Sequence, residues 1–252
     1  MPSNKKSKPI AIFLGSGGHL GPKVINDLLN TYNIIGISRT AETIINHVGY
    51  KGINFDFEQT NEKSIKKLIK KIFLENGTNI SGFIVSFYYG YPKNPNDLSD
   101  ESIIRACMGI FGRQMQIINA IAQECNSNIS IILISSMYAN LSPKYDIYEE
   151  EQDFNALLYG SMKSALERGG KWFVAFNQKN NLRINVLRLG AFPNNSVQIN
   201  KPKFIKALED QTIPKRIGKP KDISGAIEFL LSDKSEYCQG STITIDGGWT
   251  IT

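Results

Sequence analysis

Histidine and cysteine are both scarce in this chain. The two histidines, His19 and His47, have no acidic partner at triad spacing, which disfavours hydrolase chemistry built on a histidine base. The three cysteines, Cys107, Cys125 and Cys238, stand singly, with no CxxC and no histidine cluster, and this argues against a disulfide framework and a zinc site alike. Long apolar runs are absent too. "ISIILIS" and "AIEFLL" fall far short of the roughly 20 residues a membrane-crossing helix needs. The opening "MPSNKKSKP" leads into about five apolar residues before a glycine cluster, without the h-region and cleavage site of a signal peptide. It reads as a flexible arm, residues 1–8, on a cytoplasmic protein with no membrane partner. No stacking aromatics are interleaved with the lysines of "NEKSIKKLIKKIFLEN", so that run reads as a solvated helix face and no nucleic-acid partner is expected. The net charge of +6 still favours a phosphorylated ligand.

What is present fits one compact unit. Of the 252 residues 41% are hydrophobic, enough for one substantial core, and residues 9–252 read as a single domain with no internal repeat. Short β-rich runs, "PIAIFL", "NIIGISR", "GINFDF", "SGFIVSF", "NISIILISS", "LRINVLRLG" and "STITID", alternate with helical patterns, the longest from about Ser99 to Glu124 and from about Phe154 to Asn180. Runs apolar on both faces and separated by helices imply a parallel sheet between two helical layers. The expected fold is therefore α/β, a doubly wound seven-stranded parallel sheet with helices on both faces. "YGYPKNPNDLSD" and "AFPNNSVQINKPKF" have loop composition without clear period and are expected to flank a ligand crevice, the second as part of a lid over about 192–211.

The first strand runs into Gly15-Ser16-Gly17-Gly18-His19-Leu20-Gly21 and then a helix. Between a strand and a helix, such glycines let the backbone approach a pyrophosphate while the helix start supplies amide donors, the arrangement of a dinucleotide-binding Rossmann fold. A plain tight turn is the alternative. Arg39 closes the second strand 24 positions after Gly15, where an acid would accept from a ribose 2′-hydroxyl and an arginine holds a 2′-phosphate. It points to NADP(H), with NAD(H) possible, unless it is only an exposed strand-end arginine. Asp56 either meets the adenine or closes a strand-end turn. His19 either touches a cofactor phosphate or fills the loop. Phe87, Tyr88, Tyr89 and Tyr91 either line a substrate pocket or pack at a strand end.

In "LLYGSMKSALERGG", Tyr159 and Lys163 are four apart and share one helix face. Taken alone, such a pair is more often surface than chemistry. In register with it stand the glycine loop, "IILISS", "LRINVLRLG" and the ending "IPKRIGKPKDISGAIEFLLSDKSEYCQGSTITIDGGW". Together these resemble the short-chain dehydrogenase/reductase family over essentially the whole chain, Ile10 to Thr252. The resemblance implies Tyr159 as the acid/base that exchanges a proton with the substrate oxygen. It implies Lys163 as the cation that favours the phenolate and bonds the cofactor ribose, and Ser136 as the substrate-oxygen donor, with Ser135 the fallback. A free phenol, with pKa near 10, is too basic for efficient exchange at neutral pH, and a nearby ammonium counters that. Gly15, Ser16, Gly18, His19, Gly21, Arg39, Asp56, Lys163 and Gly190 are the expected cofactor-binding residues.

The chain departs from the family at several places. The glycines follow G-x-x-G-x-x-G, the spacing of its longer, nucleotide-sugar-modifying branch, and the asparagine-rich turn after strand four is "SFYYG". The helix-four asparagine is Ala106, which puts the proton relay from Lys163 in question, and Leu189 replaces the proline before Gly190. An insertion, "LSPKYDIYEEEQDFN", separates Ser136 from Tyr159, and "SSMYANLSPKYDIYE" resembles members associated with bacterial surface-sugar and flagellin-glycan biosynthesis. The insertion is either a tyrosine-rich flap suited to a polyhydroxylated substrate or a solvated excursion. The expected activity is NADP(H)-dependent interconversion of a carbonyl and a secondary alcohol by hydride transfer, on a small sugar or sugar-like substrate. The resemblance also implies a homo-oligomer, tetramer or dimer, through the two long helices and the last strand, and it implies no metal. The rivals are a nucleotide-sugar epimerase or dehydratase with tightly bound NAD, and a non-catalytic cofactor-binding sensor.

Overall fold

The computed structural model describes residues 8–90, 92, 94–148, 154–177 and 182–252. Seven parallel strands form one sheet: β1 (Ile10–Leu14), β2 (Asn33–Ser38), β3 (Tyr50–Asn54), β4 (Ile80–Val85), β5 (Ile129–Ser136), β6 (Leu182–Leu189) and β7 (Thr242–Ile245). Their spatial order is β3-β2-β1-β4-β5-β6-β7, so the order reverses between β1 and β4. The helices are α1 (Gly21–Leu28), α2 (Glu62–Asn76), α3 (Asp100–Ala106), α4 (Arg113–Glu124), α5 (Leu157–Phe176), α6 (Asn195–Asn200), α7 (Pro202–Asp210) and α8 (Lys221–Leu231).

Alternation along each strand builds the two layers, because successive side chains leave opposite faces. Ala11 and Phe13 of β1 join Val24 and Ile25 of α1 and Ile223 and Ile227 of α8. Ile12 and Leu14 join Ile65 and Ile69 of α2, Ile117 and Ile121 of α4 and Leu166 of α5. Each fully buried Ile or Leu contributes about 2 kcal/mol. Helix α2 shows how locally this is encoded: the Asn61 side chain accepts from Ser64 N, Ile65, Leu68, Ile69, Ile72 and Phe73 form one buried stripe, and Gly77 ends the helix at positive φ.

Several boundaries differ from expectation. The segment read as one helix from Ser99 to Glu124 is broken by a π-turn, Cys107–Gly112, immediately after Ala106. The piece after β2 is a single 3-10 turn, Ala41–Thr43. The stretch without period holds α6, which Asn194 caps at Val197 N, and α7, which Pro202 opens. At six residues, α6 carries too few turns to show a period. Lys8 is tied down, Nζ donating to Leu29 O at 2.7 Å. Residues 1–7 of the expected arm lie outside the described residues.

Candidate functional site

A cavity of about 560 Å³ opens at the C-terminal ends of β1, β4, β5 and β6, beside the point where strand order reverses. Open α/β sheets bind ligands at that place. The glycine loop forms one wall. Gly15 has φ +91°, and a Cβ there would lie 2.3 Å from Ser86 O; a Cβ on Gly21 would lie 2.2 Å from Ser16 O. These two positions hold the loop tight between β4 and α1. No side chain caps α1; Gly21 N is bonded to Gly18 O and Pro22 has no N–H, so it is the bare Gly18 on the cavity wall that leaves the cradle a diphosphate needs. A dinucleotide therefore fits the residues present.

Of the expected site residues, Gly15, Gly18, His19, Gly21, Arg39, Asp56, Ser136, Tyr159, Lys163 and Gly190 all line this cavity. Ser16 does not. It is fully buried, and its hydroxyl donates to Ser38 Oγ at 3.3 Å, so Gly17 takes its place on the wall. Arg39 lies on the rim with no hydrogen bond or ion pair among the described residues. Asp56 lines the wall and also closes a turn, its carboxylate accepting from Glu58 N (2.9 Å) and Gln59 N (3.4 Å). His19 Nε2 lies 2.8 Å from Phe192 O, and because a carbonyl only accepts, that nitrogen carries the proton. The imidazole thus joins the glycine loop to the segment that follows β6.

The reactive end lies where β5 meets α5. Lys163 is 3% exposed, and its ammonium donates to Ile134 O at 2.8 Å. It sits 5.8 Å from the Tyr159 ring centroid. Burial pulls its pKa from 10.5 down to about 8, with Glu167 opposing. The strand-five hydroxyls divide. Ser135 Oγ donates to Glu167 Oε1 at 2.7 Å, whereas Ser136 Oγ accepts only a long bond, 3.3 Å, from Tyr138 N.

Sequence reasoning missed the carboxylate behind this centre. Glu167, one turn beyond Lys163, is gripped by Arg188 of β6 through Nε (3.0 Å) and Nη2 (2.6 Å). The available signals were an acid four residues after Lys163 and a charge inside a strand apolar on both faces, since a buried charge needs a partner.

The described part of the insertion packs inward. Ile147 is buried with Leu208, Met137 and Trp249, and the Tyr148 ring packs at a tilt against Phe154 (4.5 Å) and Phe204 of α7 (5.3 Å). The Tyr138 and Tyr148 hydroxyls are 2.7 Å apart, and Lys144 Nζ donates to Gln211 Oε1 at 2.6 Å. Ile147, Tyr148 and Lys144 therefore tie the described part of the insertion to α7 and Gln211, while Tyr145 stays exposed. Residues 149–153 and Tyr91 lie outside the described residues. Phe87, Tyr88 and Tyr89 all line the cavity. No group of three or more potential metal ligands occurs among the described residues.

Comparison with known proteins agrees with this architecture. The family model described as Enoyl-(Acyl carrier protein) reductase matches residues 30–250. The protein named Post-translational flagellin modification protein A, from Campylobacter coli, is 24% identical over 261 aligned residues that cover 96% of this chain and 98% of that protein. Glucose 1-dehydrogenase 2 of Bacillus subtilis (strain 168) is 23% identical, covering 86% of this chain and 81% of its own length. A solved short chain dehydrogenase from Leptospira borgpetersenii, with bound NAD+, superimposes with a TM-score of 0.80 at 19% identity, covering 97% of this chain and 93% of that one.

Proposed function

Because this chain belongs to the short-chain dehydrogenase/reductase family, we propose that it is an NADP(H)-dependent oxidoreductase of the cytoplasm that interconverts a carbonyl and a secondary alcohol on a sugar or sugar-like metabolite. The observation that carries the reading is a buried ammonium, Lys163, held beside the Tyr159 ring in the same cavity as the glycine loop and Ser136.

When bound, the dinucleotide supplies or accepts a hydride at its nicotinamide ring. Gly15, Gly18 and Gly21 hold the diphosphate, and Gly190 borders the nicotinamide end. Lys163 has spent one of its three donors on Ile134 O and keeps the others for ribose hydroxyls. Ser136 donates to the carbonyl oxygen; Ser135 is committed to Glu167. Tyr159 gives that oxygen a proton in reduction and takes one in oxidation, and the Lys163 charge favours the phenolate it leaves. Arg39, unpaired among the described residues at the cavity rim, holds the 2′-phosphate that separates NADP from NAD. Asp56 borders the adenine, and His19 closes over the phosphates through its bond to Phe192 O.

The sugar reading draws on the flagellin-modification relative and on the tyrosine-bearing insertion tied to α7. Leu157, Trp172 and Phe176 are exposed on α5, with the Trp172 and Phe176 rings stacked at 4.7 Å, a surface that supports assembly into dimers or tetramers. The test is a screen of NADPH and NADH oxidation over keto-sugars and simple ketones. NADPH oxidation with a keto-sugar is expected. A strong NADH preference would remove the assignment of Arg39, and no oxidation with any carbonyl would overturn the reading.

A further inference from the structure

The turn after β4, one of the places where this chain departs from its family, is anchored through Ser86, Phe87 and Tyr89. Ser86 N donates to Leu14 O at 2.8 Å. The Phe87 ring stacks on Phe57 at 4.1 Å and 9°, and Phe87 O accepts from the buried Gln114 amide at 2.9 Å. Tyr89 OH accepts from Arg113 Nε at 3.2 Å, and its carbonyl lies so close to Gly109 in the π-turn that a Cβ there would come within 2.1 Å. Tyr88 alone turns its side chain toward the reactive end of the cavity. Its ring meets Tyr159 edge-on, centroids 5.5 Å apart at 62°, and its centroid is 5.5 Å from Lys163 Nζ. Both rings therefore face the buried ammonium from the same side, meeting each other edge-on.

We propose that Tyr88 is a positioning residue of the proton-transfer centre: its half-exposed ring wedges Tyr159 in place and shields one flank of Lys163 from water, leaving the remaining ammonium donors open to the cavity. The inference rests on the roles given above to Tyr159 and Lys163. The other groups around Lys163 do not supply that cover. Its own helix presents Tyr159 and Glu167, and Glu167 is already engaged by Arg188 of β6 and Ser135 of β5. β5 presents the Ile134 carbonyl and two neutral serines, while α3 and the π-turn pack Ala106 and Ile110 against Leu158 and Tyr159.

A ring attracts a cation, but less strongly than the hydration it displaces. The net effect of the cover is to weaken the hold of Lys163 on its proton, in line with burial bringing it to about 8. A lysine near that value gains and loses protons close to neutrality, which suits a centre whose helix-four asparagine is Ala106. Tyr88 is 53% exposed, yet partial desolvation raises its hydroxyl pKa from the ordinary value, so the phenol stays neutral and it is the ring that acts.

The experiment is side-chain NMR titration of the full chain labelled at lysine, with K163M identifying the Lys163 signal, on wild type, Y88F, Y88A and Y88L. Wild type and Y88F are expected to titrate together. Y88A, which admits water, should titrate higher by about one unit, a tenfold change in proton affinity. Y88L excludes water without the ring's attraction and should titrate at or below wild type; it decides the matter if Y88A does not fold. In turnover, Y88A should lose about tenfold in kcat with little change in dinucleotide KM, and Y88F should restore it. An unmoved Lys163 in Y88A, a rise in Y88L, or a rise in Y88F equal to that in Y88A would overturn the proposal. If wild type turned over no carbonyl, the functional reading would fail, while the titration would still decide the role of Tyr88.

Discussion

Replacing Lys163 with methionine should abolish activity and yet stabilise the fold at neutral pH. Lys163 is buried and its pKa falls from 10.5 to about 8, so keeping it charged in the folded chain costs about 3 kcal/mol at about 1.4 kcal/mol per unit. Methionine fills a similar volume without charge, but forfeits the bond to Ile134 O, which offsets about 1 kcal/mol. K163M should therefore be about 2 kcal/mol more stable than wild type near neutrality. The gain must depend on pH in one direction. Below about 8 Lys163 is protonated in both states and the folded wild type bears the full cost. Between about 8 and 10.5 the unfolded chain keeps a proton that the folded chain has released, so wild-type stability climbs with pH relative to the variant. Urea unfolding of both proteins, without dinucleotide, from neutral to alkaline pH reads this directly. A stability difference that does not change with pH would refute the reasoning.

Other perturbations separate the remaining parts. R39D should lower kcat/KM for NADPH by about a hundredfold and reverse the preference toward NADH, measured with both cofactors on one substrate. E167A leaves the Arg188 guanidinium without its carboxylate and should lower unfolding free energy by about 3 kcal/mol, seen as a lower urea midpoint. H19A removes the bond between the glycine loop and Phe192 O, and dinucleotide release followed by stopped-flow fluorescence should quicken by about fivefold.

The sheet was legible because β1, β4 and β5 are largely apolar on both faces and separated by helical patterns, as in a parallel sheet covered on both sides. The glycine loop was legible from its place between β1 and α1, and the Tyr159/Lys163 pair from helical spacing in register with four other segments. Long-range pairings were not. Nothing local in "SALER" or "LRLG" says that Glu167 and Arg188 meet across α5 and β6. Nor does "SFYYG" say which aromatic turns inward, because that depends on Phe57, Arg113 and Gln114, each distant in sequence. Helix α6 was hidden by its length, and the inward packing of the insertion by the α7 residues it needs as partners.

The central claim is that Tyr159 passes the proton while the rest of the cavity only binds and orients. A Y159F variant, compared with wild type for NADPH affinity by fluorescence titration and for single-turnover NADPH oxidation with the keto-sugar found active in the screen, tests it most directly. The account predicts unchanged NADPH affinity and a rate lower by about a thousandfold or more. A Y159F rate within a few-fold of wild type would contradict it.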